Sequence, residues 1–106
     1  MDNLEVAMGL IAGAGDSRSY CMEAIDHARE SRFDEARETI KNAVSAMVET
    51  HEVQTQLIRD EMEGKSQDVS LLMVHAQDHL NLALVMRDVA EEFITLYERL
   101  SRLEGK

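Results

Sequence analysis

The feature that most constrains the fold is a heptad repeat in the last third of the chain. Its members are His75, Leu82, Val89, Leu96 and Leu103, spaced by seven, and His79, Met86, Phe93 and Leu100, each four residues further on. This spacing places both sets along one side of an α-helix and predicts a coiled-coil-like seam.

A second apolar stripe lies on another face of the same predicted helix. Its members are Leu72, Ala76, Leu80, Leu84, Ile94 and Tyr97. A helix that is apolar on two faces needs two packing partners, and one antiparallel three-helix hairpin covers too little of it. We therefore expect the seam to pair with the third helices of other subunits in a homo-oligomer.

Helical spacing also runs through the rest of the chain, where apolar residues recur at three, four or seven positions within 4–28 and 33–62. The 106 residues include no proline and only five glycines, and strong helix formers dominate. The sequence therefore predicts an all-α fold, an antiparallel three-helix bundle subunit that forms a single domain over residues 1–106.

Two polar segments, "ESRFDE" and "EGKSQD", interrupt the apolar pattern and predict the connections between the helices. We expect Ser31 or Asp34 to cap the second helix and Ser66 or Asp68 to cap the third. Gly64 is the expected stop of the second helix, because glycine adopts the left-handed conformation that ends helices.

Charge and cysteine content limit the partners and the compartment. The formal net charge of −10 repels phosphate backbones and anionic lipid, so neither nucleic acid nor a membrane surface is an expected partner. The amino terminus lacks a basic leader, and no apolar run approaches the length of a membrane helix, so no membrane insertion is expected. Because the single Cys21 cannot form an internal disulfide, we expect a cytoplasmic protein.

A cluster of polar residues, "HAQDH", interrupts the apolar third helix. His75 and His79 are four residues apart and therefore stack on one helix face, with Asp78 beside them and Gln77 between. Three interpretations compete: a polar layer that fixes coiled-coil register, a metal site completed by other subunits, and a nucleophilic histidine that carries a phosphoryl group delivered by another protein. The sequence contains no nucleotide-binding motif that would supply the phosphoryl group itself.

The other chemistry-bearing residues favour structural roles. His27, near the end of the first helix, and His51, on a polar face of the second, are expected at the surface or as caps. "HEVQT" begins like the zinc-protease pattern but has Thr55 where that pattern requires histidine. Cys21 lies on the apolar stripe and is expected in the core.

Two stretches carry a family resemblance. "SLLMVHAQDHL" resembles the active-site segment of lactose/cellobiose-type enzyme IIA proteins of the bacterial sugar phosphotransferase system, and "AGDSRSYCMEAIDHARESRFDEA" resembles the other characteristic stretch of that family. The resemblance covers nearly the whole chain. It implies a homotrimer of three-helix subunits, in agreement with the unpaired seam.

The resemblance also implies roles for the polar cluster. His75 would accept a phosphoryl group from the carrier protein HPr and pass it to a cysteine of the cognate enzyme IIB. Gln77 would lie near the phosphoryl group, and His79 would support the site. Asp78 would meet its symmetry mates at the three-fold axis, where a divalent cation such as Mg²⁺ would neutralise the repelling carboxylates.

The expected function is thus that of a phosphocarrier in the uptake of a disaccharide of the cellobiose, chitobiose or lactose type. The alternative is a structural or metal-binding helical trimer with an axial His/Asp site, which would bury His75. One position departs from the family pattern: Asn81 follows the motif where many members carry a nonpolar residue, and we expect it to affect packing or partner choice.

Overall fold

The computed structural model describes residues 2–65 and 68–105. In these two ranges the chain forms three helices and no strand: α1 (Asn3–Arg29), α2 (Phe33–Met62) and α3 (Leu71–Leu103). The all-α prediction is confirmed, and both connections fall in the polar segments expected from the sequence.

The connection between α1 and α2 corrects the predicted cap. Arg32, and neither Ser31 nor Asp34, is the N-cap of α2, and its side chain makes no capping hydrogen bond. Ser31 adopts a left-handed backbone conformation with φ of +62°, which reverses the chain within three residues. Asp34 already lies in the first turn of α2, where its carboxylate faces the positive end of the helix dipole.

The connection between α2 and α3 confirms the predicted stop and corrects the other cap. Gly64 follows the C-cap of α2 with φ of +79°. The N-cap of α3 is Ser70, whose hydroxyl accepts a hydrogen bond from a backbone N–H of the first turn at 3.1 Å. Asp68 does not cap α3, because the helix begins later; its carbonyl instead accepts a hydrogen bond from the Asn3 amide at 3.2 Å. Ser66 lies outside the described residues.

Two clusters of buried residues hold the three helices together, and α1 contributes to both. One contains Cys21, Ala24, Ile25 and Ala28 of α1, Ala36, Ile40 and Ala43 of α2, and Ala90 and Ile94 of α3. The other contains Val6, Ala7, Leu10 and Ala14 of α1, Met47 of α2, and Ala76, Leu80 and Ala83 of α3. Because α3 contributes alanines at steps of seven, its backbone can lie close to α1.

The two apolar faces predicted for α3 behave differently in the subunit. Ala76, Leu80 and Ile94 of the second stripe are buried. Most members of the seam remain exposed, and together with their apolar neighbours they form what we call the α3 stripe. It consists of Leu71, Val74, Leu82, Val85, Val89, Phe93, Leu96, Leu100 and Leu103, each at least 41% exposed. Within residues 2–65 and 68–105, one apolar face of α3 is therefore left without an intrachain partner, as the sequence predicts.

Candidate functional site

The polar cluster lies in the first three turns of α3, at one end of the α3 stripe. Asp78 lies between two members of the stripe on the same helix face, four residues from both Val74 and Leu82, and it is exposed. Among the described residues, no hydrogen bond or ion pair involves the Asp78 side chain. A carboxylate in the centre of an apolar face is unusual, because association through that face would desolvate it.

His75 and His79 form a contacting pair on one flank of the stripe. Their Nε2 atoms lie 3.0 Å apart, and the ring centroids lie 4.4 Å apart with the planes at 83°. One ring must donate this hydrogen bond and the other accept it, so at least one ring is protonated on Nε2. His75 is exposed and His79 half-buried. The pair thus offers an accessible imidazole held by a second imidazole.

Gln77 is on the other side of α3, because side chains two positions apart on a helix do not face each other. Its Oε1 accepts a hydrogen bond from Gln54 Nε2 of α2 at 2.8 Å, and its own Nε2 lies 3.8 Å from Met73 Sδ. Gln54 Nε2 also lies 3.4 Å from Asn81 Oδ1. Within one subunit the structure therefore separates Gln77 from His75. It also gives Asn81 a polar partner, Gln54, at this departure from the family pattern.

Two cavities adjoin the cluster. A groove of about 580 Å³ between α1 and α3 ends at His79 and is otherwise lined by Ile11, Gly15, Arg18, Ser19, Met22, Glu23 and Asp26. A smaller cavity of about 270 Å³ lies where α2 ends and α3 begins, and Gln77, Met73 and Val74 form part of its wall. The two sides of the cluster are thus both accessible.

The remaining histidines and the cysteine have structural surroundings. His27 lies 3.7 Å from a Glu23 oxygen and 3.5 Å from a Glu35 oxygen, and it accepts a hydrogen bond from Arg32, so it joins the end of α1 to the start of α2. His51 is exposed. Cys21 is fully buried, as expected, and burial raises the pKa of its thiol.

Gln54 is the site residue that sequence reasoning missed. It follows Thr50 by four residues and precedes Leu57 by three, which are the spacings of the face that α2 turns toward the core. A polar residue in that register, on a helix predicted to pack beside "HAQDH", was the signal that could have identified it.

The described residues of one chain contain no group of three or more potential metal-ligating side chains. In the same part of the chain, no helix is long and apolar enough to cross a membrane. The site is therefore built from an imidazole pair, an exposed carboxylate and an amide cluster on a helix with an unpaired apolar face.

A helical subunit with an accessible, paired histidine is suited to carrying a group between protein partners. The family model described as "PTS system, Lactose/Cellobiose specific IIA subunit" matches residues 5–98. The chain belongs to this family.

Relatives and solved structures agree with the assignment. The chain is 39% identical over 101 residues to the lichenan-specific phosphotransferase enzyme IIA component of Bacillus subtilis, covering 95% of this chain and 92% of that protein. It resembles the crystal structure of the cellobiose-specific enzyme IIA from Bacillus anthracis with a TM-score of 0.91 at 38% identity, covering 96% and 94% of the two chains. The IIA component in the solution structure of the Escherichia coli IIA(chitobiose)–HPr complex matches with a TM-score of 0.81 at 36% identity, covering 95% and 98%.

Proposed function

We propose that this protein is a histidine phosphocarrier in the uptake of a disaccharide of the cellobiose, chitobiose or lactose type. HPr donates the phosphoryl group to His75, and the cognate enzyme IIB accepts it. The observation that carries the proposal is the exposed His75 ring, 3.0 Å from a second imidazole, in a member of the enzyme IIA family. We also propose a cytoplasmic location, which is consistent with a relay between proteins that draws on HPr.

The transfer needs little from the protein beyond position and charge. In the first step a lone pair on a His75 ring nitrogen attacks phosphorus, a new N–P bond forms on His75, and the N–P bond of phosphorylated HPr breaks. In the second step the enzyme IIB cysteine thiolate attacks phosphorus, an S–P bond forms, and the N–P bond on His75 breaks. His79 can donate its N–H either to the free His75 ring or to a phosphoryl oxygen on it. A hydrogen bond to an anionic oxygen is stronger than one between neutral groups, so the His79 N–H stabilises phosphorylated His75 more than free His75.

We further propose that three subunits assemble through the α3 stripe, each of them an antiparallel three-helix bundle. The core supports this direction: the end of α1 packs with the start of α2, and the later half of α3 packs beside the later half of α1. The exposed stripe supports association, because a continuous apolar face of this length rarely remains in water.

Association through the stripe would also give Gln77 a role. His75 and His79 lie on one flank of the stripe, and Asn81 and Gln77 lie beyond the opposite flank. Around a three-fold axis that runs along the stripe, one flank of each subunit faces the opposite flank of the next subunit. Gln77 would therefore approach the phosphoryl group carried by His75 of a neighbouring subunit.

We infer that Asp78 holds a divalent cation, with Mg²⁺ the first candidate, at the axis of this trimer. The residues fit such a site only by symmetry: one chain supplies a single carboxylate between two members of the stripe, and three copies would supply oxygen ligands of the kind that hard cations prefer. When bound, the cation would neutralise the repulsion among these carboxylates. The alternative of a purely structural or metal-binding trimer has no support among the relatives.

The test is phosphorylation with phosphoenolpyruvate, enzyme I and HPr, followed by mass spectrometry. Wild-type protein should gain one phosphate that is acid-labile and base-stable, and His75→Ala should gain none while its circular dichroism stays unchanged. His51→Ala is the matched control, since it removes another exposed imidazole and should be phosphorylated like wild type. Incorporation into His75→Ala would assign the nucleophile elsewhere, and no incorporation into wild type with active upstream proteins would refute the proposal.

A further inference from the structure

The three amides at the junction of α2 and α3 form a directed hydrogen-bond cluster. Gln54 Nε2 is the shared donor: Gln77 Oε1 accepts at 2.8 Å and Asn81 Oδ1 at 3.4 Å. We propose that Gln54 is a positioning residue, which orients the Gln77 amide so that its NH₂ group, rather than its carbonyl, is presented to the phosphoryl group. This inference rests on the proposed function.

The hydrogen bond from Gln54 determines which end of the Gln77 amide is left free. A side-chain amide has one acceptor oxygen and two N–H donors. Because Gln54 engages the oxygen of Gln77, the Gln77 NH₂ group is left without an amide partner, and its only hydrogen-bond contact in the described structure is Met73 Sδ at 3.8 Å. A thioether is a weak acceptor, so one good acceptor can displace it at small cost.

The charge of the phosphoryl group explains why this direction matters. A phosphorylated side chain carries a charge close to −2 and presents oxygens that only accept hydrogen bonds. An amide NH₂ group stabilises them, whereas an amide carbonyl in the same place repels them. A free glutamine could rotate by half a turn and present either end, so the chemistry requires a residue that selects one end.

Gln54 and Asn81 have the properties that this selection needs. Gln54 is half-buried on α2, a different helix from Gln77, so the position from which it contacts the Gln77 amide is fixed by the packing of the two helices. Asn81 lies one turn beyond Gln77 on α3 and offers a second oxygen to the same NH₂ group. Two acceptors facing Gln54 Nε2 favour the orientation in which Gln54 donates.

The experiment replaces the amide donor at position 54 by a carboxylate acceptor of nearly the same size and shape. In the variant Gln54→Glu the introduced carboxylate can only accept hydrogen bonds at neutral pH. Gln77 must therefore turn its NH₂ group toward this carboxylate and its carbonyl away from it. We expect the rate of phosphoryl transfer from HPr to fall roughly tenfold to a hundredfold, the value of one hydrogen bond to a charged group. In a Gln77→Met background the same change should have little effect, since there is no amide to orient.

Gln56→Glu is the control for charge. It makes the same chemical change at an exposed residue of α2 two positions from Gln54, where the side chain contacts Asp60 and not the amide cluster, so its transfer rate should stay close to that of wild type. Melting temperatures of all variants, measured at equal protein concentration, exclude a general loss of structure.

The outcomes separate the inference from the function on which it rests. If wild type takes no phosphoryl group from HPr, the proposed function fails and the inference fails with it. If wild type is active and Gln54→Glu is equally active, or if Gln56→Glu loses as much activity as Gln54→Glu, the phosphocarrier function stands and the positioning role of Gln54 is refuted. A loss confined to Gln54→Glu that disappears in the Gln77→Met background establishes it.

Discussion

The contact between α1 and α2 makes a quantitative prediction at Gly13. A Cβ atom added there would lie 1.9 Å from Thr50 Oγ1, 3.1 Å from Thr50 Cβ and 3.3 Å from Thr50 Cγ2. Thr50 is buried on α2. Rotation of the threonine can turn a hydrogen toward the added methyl group, but the Thr50 Cβ is fixed by the backbone and stays 3.1 Å away, which is tighter than ordinary van der Waals contact. The helices must therefore move apart if Gly13 is replaced by alanine.

Two opposing contributions set the size of the effect. Replacing glycine by alanine within a helix stabilises it by about 0.5–1 kcal/mol, because the unfolded chain loses freedom. Forcing a methyl group into a packed interface costs about 1–3 kcal/mol. Since the 3.1 Å approach to the Thr50 Cβ remains after rotation, the packing cost exceeds the helix contribution, and we expect Gly13→Ala to lower the free energy of unfolding by about 1–2 kcal/mol. For a chain of this size, each kcal/mol shifts the melting temperature by roughly 4–8 °C.

The matched control lies one turn earlier in the same helix. A Cβ atom at Gly9 would have no atom within 4 Å, so Gly9→Ala should gain the helix contribution of about 0.5–1 kcal/mol without the packing cost. The two variants should therefore shift stability in opposite directions. Urea denaturation followed by circular dichroism measures both, at one protein concentration because oligomers unfold in a concentration-dependent way.

The result that would refute this reasoning is a Gly13→Ala variant as stable as Gly9→Ala. It would mean that α1 and α2 separate at negligible cost and that Gly13 does not set their distance. Destabilisation by both variants would instead place the effect in α1 itself.

Three further predictions concern the α3 stripe and the core. If the subunits associate through the stripe as proposed, Leu96→Glu should give smaller species than wild type in analytical ultracentrifugation, whereas Val48→Glu, at a similarly exposed apolar residue outside the stripe, should not; equal behaviour of the two would refute association through the stripe. If Asp78 holds the proposed divalent cation, Asp78→Leu should lower the metal content measured by elemental analysis and raise the melting temperature, because a carboxylate no longer has to be desolvated; a metal content equal to that of wild type would refute the cation site at Asp78. Since burial raises the pKa of Cys21, little of its thiol is ionised near pH 8, and it should react with iodoacetamide at least about tenfold more slowly in the folded than in the urea-unfolded protein; equal rates would show that Cys21 is accessible.

The helices and the unpaired face were predictable because they depend on spacing alone. Apolar residues at three, four and seven positions specify both faces of α3, and the structure buries one and exposes the other. The exact cap residues were not predictable from the sequence. Serine is a frequent N-cap, but Ser31 takes the left-handed conformation that the three-residue connection requires. Local preference was overridden there by the geometry of chain reversal.

The candidate site was predictable in its residues but not in its contacts. "HAQDH" identified His75 and His79 as a pair, and spacing placed them within reach of each other. The same spacing places Gln77 away from His75, so its expected nearness to the phosphoryl group has to come from another subunit. Gln54 was missed because it is one of several polar residues in this stretch of α2. Only its spacing from Thr50 and Leu57 shows that it lies on the face of α2 that packs on the core.

Polar and apolar residues occupy different parts of the exposed face of α3. Polar side chains interrupt the stripe only in its first three turns, while the stripe members from 82 to 103 are all apolar. In the proposed trimer the later turns would therefore supply the energy of association, and the first turns would supply the reacting groups. If Gln77 acts on the phosphoryl group of a neighbouring subunit, a dissociated variant such as Leu96→Glu keeps His75 intact but loses that donor. Its rate of phosphorylation should then rise with its own concentration as subunits reassociate, whereas His75→Ala should stay inactive at every concentration.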